Sequence, residues 1–288
     1  MDSAPRRTPR TLPLALAIVV ASFAANSLMT RLVVQGRLMD ASLLSEVRFL
    51  SGAIMLIAIA MVGRTPGHVV PRRRHLLPAL WLGLYALLIS YGYQHIGASA
   101  GTFVFYAAVF LTLVAVDASR GTKLSIRRVI AAVLALAGLG VLAASQLATV
   151  TPLGVGLLAG TGVAWGLYTA VGRGVANPLA MTTGNFVTLA LVLLVPTALT
   201  VGHVFGTPVM TADGLAWGIA MGAGTTACAY PIWYWCLRHI TGTQAGLVQL
   251  ATPIVTAVGA VGLLGEPFSA RLAAAATLVV LGLGLGLA

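Results

Sequence analysis

The sequence predicts an all-α membrane protein of ten transmembrane helices arranged as two inverted five-helix repeats, and three observations lead there. Composition is the first: 59% of the 288 residues are apolar and 8% are charged, with a mean hydropathy of +0.97, outside the range of soluble domains. The second is the division of the chain into ten apolar runs of the ~17 to 25 residues that a bilayer requires. The third is a self-match at an offset of 144 residues that puts five runs in each half.

In chain order, the basic leader MDSAPRRTPR precedes a first run at 12–34. That run is longer than a signal-peptide core and no small-residue cleavage pattern follows it, so it reads as a span that stays in the protein. The remaining runs lie at 42–62, 76–94, 98–117, 128–146, 152–172, 179–201, 213–237, 241–263 and 269–287. The organisation is a basic N-terminus (1–11), a first repeat (12–148) and a second repeat (149–288). Under the offset, His95 and Ile96 fall on His239 and Ile240, Gly121 on Gly265, Ser125 on Ser269, Arg127 on Arg271, and Gly138 and Gly140 on Gly282 and Gly284. Five is odd, so the second half enters the membrane upside down, the arrangement of alternating-access carriers with a site near the midplane.

The formal charge of +11 is spread over short gaps between spans and forms no stripe that would suit nucleic acid. It is a topology signal. With the N-terminus inside, the inside segments carry Arg6, Arg7, Arg10, Arg64, Arg72, Arg73, Arg74, Arg120, Lys123, Arg127, Arg128, Arg173 and Arg238, against Arg31, Arg37 and Arg271 outside. Both termini are therefore expected in the cytoplasm. Cys228 and Cys236 are eight residues apart on one helix, about 12 Å, too far for a disulfide.

Candidate substrate contacts are polar and aromatic residues that share helix faces. Asn26 and Thr30 share one on the first span, Thr102 and Tyr106 on the fourth, Trp165 and Tyr168 on the sixth, Tyr230, Trp233 and Tyr234 on the eighth, and Gln249, Thr252 and Thr256 on the ninth. Tyr85 sits in the middle of the third. An interfacial aromatic belt is the alternative, but a phenol or indole at mid-span needs a partner or water, which favours an interior lining. Pro231 and Pro253, each inside an apolar run, are hinge candidates; a static bend would use the same prolines. Glu46 and Arg48 lie about a turn inside the second span, as a possible ion pair or coupling site. Glu266, in GEP after the ninth span, reads as a helix stop or loop tie.

No metal-ligand cluster and no nucleophile with a base converges at depth, which argues against an intramembrane enzyme. The sequence has no GxxxxGK[ST] for a nucleotide-driven pump, and no cofactor is expected.

TTACAYPIWYW, AGLVQLATPIVTAVGAVGLLGEP and a glycine-rich last span resemble the second half of the drug/metabolite transporter superfamily in its EamA-like branch. SEVRFLSGAI and YGYQHIGASAGTFVFYAAVFLTL resemble the first half more loosely. GVAWGLYTAV and FVFY are similar to aromatic and neutral amino-acid exporters of the YddG type. The resemblance implies ten helices in inverted halves around a central cavity, and strengthens Tyr85, Tyr106 and Trp165 as its lining. It also implies export of neutral amino acids (Phe, Tyr, Trp, Met, Thr) across a bacterial inner membrane; the functional unit is expected to be monomeric. The family's usual proline in the fourth span is Val109 here, so no proline bend is implied at that point. Proton-coupled multidrug or metabolite efflux is the alternative.

Overall fold

The computed structural model describes residues 9–64, 71–144, 148, 150–204, 209–265 and 267–287. Arg6, Arg7 and Glu266 lie outside the described residues. The chain forms α1 (Leu12–Gln35), α2 (Ala41–Val62), α3 (Arg73–Gly92), α4 (Ala98–Ser119), α5 (Ile126–Ala143), α6 (Pro152–Gly172), α7 (Pro178–Val204), α8 (Ala212–Ala220), a π-helical segment (Met221–Thr226), α9 (Ala227–Cys236), α10 (Gly242–Gln249), α11 (Thr252–Leu264) and α12 (Ala270–Leu287). No strand occurs among the described residues.

Local chemistry explains where the helices start and stop. Thr151 caps α6 by accepting from Gly154 N (3.1 Å), and Thr211 caps α8 by accepting from Gly214 N (3.0 Å). Thr241 and Gln244 form a reciprocal capping box on α10. Two features recur at the 144-residue offset. Gly121 (φ 77°) follows α4 and Gly265 (φ 68°) ends α11, both in the left-handed region that glycine enters without strain. Ser125 accepts from Arg128 N at the start of α5, and Ser269 accepts from Leu272 N at the start of α12.

Seven helices among the described residues are long and apolar enough to cross a membrane, including Gly242–Leu263 taken through α10 and α11. Large apolar side chains such as Leu14, Val62, Ile126 and Leu263 are exposed, while Asn26, Arg48, Asp117, Thr226 and Gln249 are buried. This inside-out polarity is what lipid demands. The chain is a multi-pass membrane protein. The runs expected at 76–94, 179–201 and 213–237 are helical but are not among the seven. α3 starts within the basic Arg73–Arg74 pair, and the 213–237 run is interrupted by the π segment.

The two proline-containing runs are interrupted helices. The 213–237 run is α8, the π segment and α9 in series, and Pro231, lacking an N–H, sits inside α9 just after the π turn. The 241–263 run breaks at Leu250–Ala251, and Pro253 stands in the first turn of α11, where a proline is tolerated because its N–H would have no partner. α4 is continuous through Val109, the position equivalent to Pro253.

Helix pairing sets the frame for the interior. α5 packs on α12, α4 and α3 on α6, α2 on α7, and α1 on α9 and α11, with the π segment against α2. At the α5–α12 crossing a Cβ on Gly138 would lie 2.7 Å from Ala275 O, and one on Gly282 2.5 Å from Ala131 O. Only glycine allows so close a backbone approach.

Candidate functional site

The helices enclose a cavity of about 970 Å³, within the range of small-molecule pockets. Its rim comes from the connections after α1, α3 and α11: Arg37, Asp40, Gln94 and Pro267 stand there. Its floor is aromatic, formed by Phe23, Tyr85, Phe105, Tyr106, Trp165 and Tyr230.

Trp165 is the centre of that floor. Its ring lies 5.0 Å from Tyr85, 5.5 Å from Phe23 and 5.4 Å from Tyr230, the latter two edge-on. The indole Nε1 donates to Gln249 Oε1, and Gln249 Nε2 donates to Ala245 O at 3.2 Å, so α6 is tied to α10 through an amide bonded at both its oxygen and its nitrogen. A buried indole with its N–H satisfied keeps one orientation and presents a fixed apolar face. Phe105 and Tyr106 contact edge-on at 4.5 Å and extend the surface along α4.

Asn26 supplies the polar side of the floor. Its Nδ2 donates to Thr226 Oγ1 (3.2 Å) and its Oδ1 accepts from Thr225 Oγ1 (2.9 Å). Both threonines belong to the π segment, whose widened turn directs two successive hydroxyls at α1. Thr102 lines the wall nearer the rim, its hydroxyl 3.0 Å from Tyr93 OH. Arg48, 7% exposed, also lines the cavity, with its guanidinium carbon 4.7 Å from the Phe49 ring centroid. Glu46 and Arg48 form no ion pair with each other, since side chains two apart on a helix point to different sides.

Of the residues expected to contact substrate, Asn26, Tyr85, Thr102, Tyr106, Trp165 and Tyr230 line this one space, and Pro253 reaches it as well. Tyr168, Trp233 and Gln249 do not: they lie fully buried beneath the floor. Tyr168 stacks on Trp165 at 5.5 Å, and Trp233 Nε1 donates to Thr169 Oγ1 at 3.5 Å. Pro231 is half-buried in α9.

Below these rings the bundle is sealed. Asp117, at the end of α4, accepts from Thr243 N (2.7 Å) and Thr243 Oγ1 (2.9 Å) and pairs with Arg173, which follows α6. The carboxylate thus caps the positive end of α10 while neutralising a guanidinium. Tyr234 OH donates to Tyr168 O (3.1 Å), and its ring packs against Gly172, where a Cβ would lie 2.5 Å away.

Reading the sequence by helix faces missed this seal, as well as Phe23, Phe105 and the π-segment threonines. A carboxylate at the end of one span, an arginine at the end of another and the T-x-x-Q capping box at Thr241 were the available signals. Among the described residues no group of three His, Cys, Asp or Glu side chains could hold a metal ion.

Residues 152–287 match the EamA-like transporter family. An uncharacterized protein of Pseudomonas aeruginosa is 37% identical over 274 residues, spanning 95% of this chain and 92% of the relative. A crystal structure of a protein 19% identical in sequence superposes with a TM-score of 0.74 over 94% of this chain and 96% of the other, a likeness of fold alone.

Proposed function

The chain belongs to the EamA-like transporter family, whose members are membrane transporters of small molecules, and from that premise we propose a secondary or facilitative carrier that exports small neutral metabolites. Aromatic and other neutral amino acids (Phe, Tyr, Trp, Met, Thr) are its substrates, moved out across a bacterial inner membrane. The observation that carries this reading is the 970 Å³ cavity with an aromatic floor and an open rim. A planar or apolar side chain stacks on Trp165, Tyr85 and Tyr230, while amides and hydroxyls such as Asn26 and Thr102 meet its polar head.

Transport proceeds by alternating access between two inverted five-helix halves. Several features support the ten-span, two-repeat reading. Gly138 meets Ala275 and Gly282 meets Ala131, two contacts exchanged by the same 144-residue shift. The left-handed glycines 121 and 265, and the capping serines 125 and 269, obey that shift too. On this topology the sealed end carries Arg120, Lys123, Arg127, Arg128, Arg173 and Arg238, which favours a cytoplasmic seal, cytoplasmic termini and a cavity open to the outside. The Asp117–Arg173–Thr243 tie then acts as the inner gate, joining the first half to the second. Pro231 and Pro253 are the proposed hinges. The functional unit is one chain in the bilayer.

Reconstitution in sealed liposomes tests the reading with labelled phenylalanine, methionine and threonine, with and without a pH gradient. Saturable flux that ignores the gradient and falls in Tyr106→Ala is expected. Gradient-driven movement of cationic dyes without amino-acid flux would replace this reading by proton-coupled multidrug efflux.

A further inference from the structure

Arg48 is the charge at the cavity that the protein leaves uncompensated. It lies on α2, it is more than nine-tenths buried, and its Nε has no hydrogen-bond partner. Its guanidinium lies over the face of Phe49, which stabilises a cation weakly without satisfying its N–H groups. A guanidinium held inside a membrane protein is costly unless an anion pairs with it.

Among the described residues no carboxylate pairs with Arg48. Among the described lining residues the acidic side chain is Asp40, at the rim, and its Oδ2 accepts from Val209 N at 2.8 Å. Arg31 and Arg37 line the same space. A cation that reaches the floor meets the Arg48 guanidinium.

Arg48 is also held in place. A Cβ on Gly222 would lie 2.2 Å from Arg48 O and 2.0 Å from Ser51 Oγ, so α2 is seated directly on the π segment at this residue. The same segment holds Asn26 through Thr225 and Thr226. The backbone of Arg48 and the side chain of Asn26 are therefore fixed by one six-residue element beside the aromatic floor. Fixed position, burial and an open donor fork are the requirements for reading a planar carboxylate.

We propose that Arg48 anchors the carboxylate of the transported molecule, making the substrate class small organic acids and zwitterions with an apolar or aromatic body. The body rests on Trp165, Tyr85 and Tyr230, and cationic amines lacking a carboxylate are rejected. This inference rests on the reading of the cavity as the carrier's substrate site.

The test uses full-length protein in lipid nanodiscs titrated calorimetrically with three probes of one shape: 3-phenylpropionate, neutral 2-phenylethanol and cationic phenethylamine. The carboxylate is expected to bind at least about tenfold more tightly than the alcohol, and the amine weakest of the three. Arg48→Gln is expected to lower carboxylate affinity about 10- to 100-fold and leave the alcohol unchanged. If Arg48→Gln loses the alcohol too, Arg48→Lys decides, because it keeps the charge but not the fork: a loss confined to the carboxylate supports the anchor. Unchanged carboxylate affinity in the deciding variant, or tighter binding of the amine by wild type, overturns it. Phenylalanine flux in proteoliposomes separates the two claims. Arg48-dependent binding without flux contradicts the carrier and keeps the anchor, whereas flux that survives Arg48→Gln keeps the carrier and overturns the anchor.

Discussion

The two ends of the bundle are built from the same helices and differ in what their polar groups do. At the rim, α1, α2, α4 and α11 stand apart around a space lined by Arg37, Asp40, Gln94 and Thr102. At the other end the polar groups are spent on one another: Asp117 on Arg173 and Thr243, Tyr234 on Tyr168, and Gln244 on Thr241. The difference teaches where the work of opening must be done. Parting the sealed end breaks a few charge-assisted bonds and exposes buried rings.

Several substitutions would sharpen or break this contrast, the largest effect coming from the layer between the two ends. Trp165→Ala removes the ring on which Phe23, Tyr85, Tyr168 and Tyr230 converge. It is expected to cost about 3 to 5 kcal/mol of stability and to abolish flux, read by thermal denaturation in detergent and by liposome uptake. Retained flux at wild-type rate would remove the floor from the account.

Asp117→Asn strands Arg173 and weakens the cap on α10, at a cost of about 3 kcal/mol to the closed end. In a Cys228→Ser background Cys236, buried near that end, is the remaining thiol. Its labelling by a maleimide is expected to rise about 10- to 100-fold in Asp117→Asn, and an unchanged rate would mean that the carboxylate does not hold the seal.

The crossing of α5 and α12 predicts a matched pair of smaller losses. Gly138→Ala and Gly282→Ala each press a methyl group onto a carbonyl of the partner helix, for about 1 to 3 kcal/mol apiece. Thermal midpoints that fall together support the two-fold relation, and a loss in only one of them speaks against it. Smallest of all, Gly121→Ala and Gly265→Ala strain a left-handed turn at one end of the bundle each. About 1 kcal/mol is expected from either, with flux preserved.

The membrane class, the boundaries of most helices and much of the cavity lining were legible because they follow from periodicity and polarity. Tyr85, Tyr106 and Trp165 are aromatic residues with polar groups at mid-span, where lipid would punish them. Depth was not legible. Trp165 and Tyr168 share a helix face, yet Tyr168 lies under the floor, because its ring packs on Tyr234 of α9 while Trp165 is held by Gln249 of α10, partners distant in sequence. The π segment escaped notice since MGAGTT carries no signal beyond its glycines, and its extra residue per turn is stabilised by bonds to Asn26 some 200 positions away in sequence. α4 and its equivalent show how one residue alters a helix: with Val109 the run is continuous, and with Pro253 it breaks just before the ring. Asp117 looked like an ordinary span end because its partners come from two other helices.

The central claim is that the two ends open in alternation, and paired distance measurements on a cysteine-free background test it directly. Spin labels at positions 94 and 267 report the rim, and labels at positions 120 and 238 report the sealed end, each pair joining the two halves. With saturating phenylalanine in liposomes, the account predicts a new population in which the rim pair is shorter and the sealed pair longer. Rim and sealed distances that lengthen together, or that both stay fixed while phenylalanine flux proceeds, would contradict it.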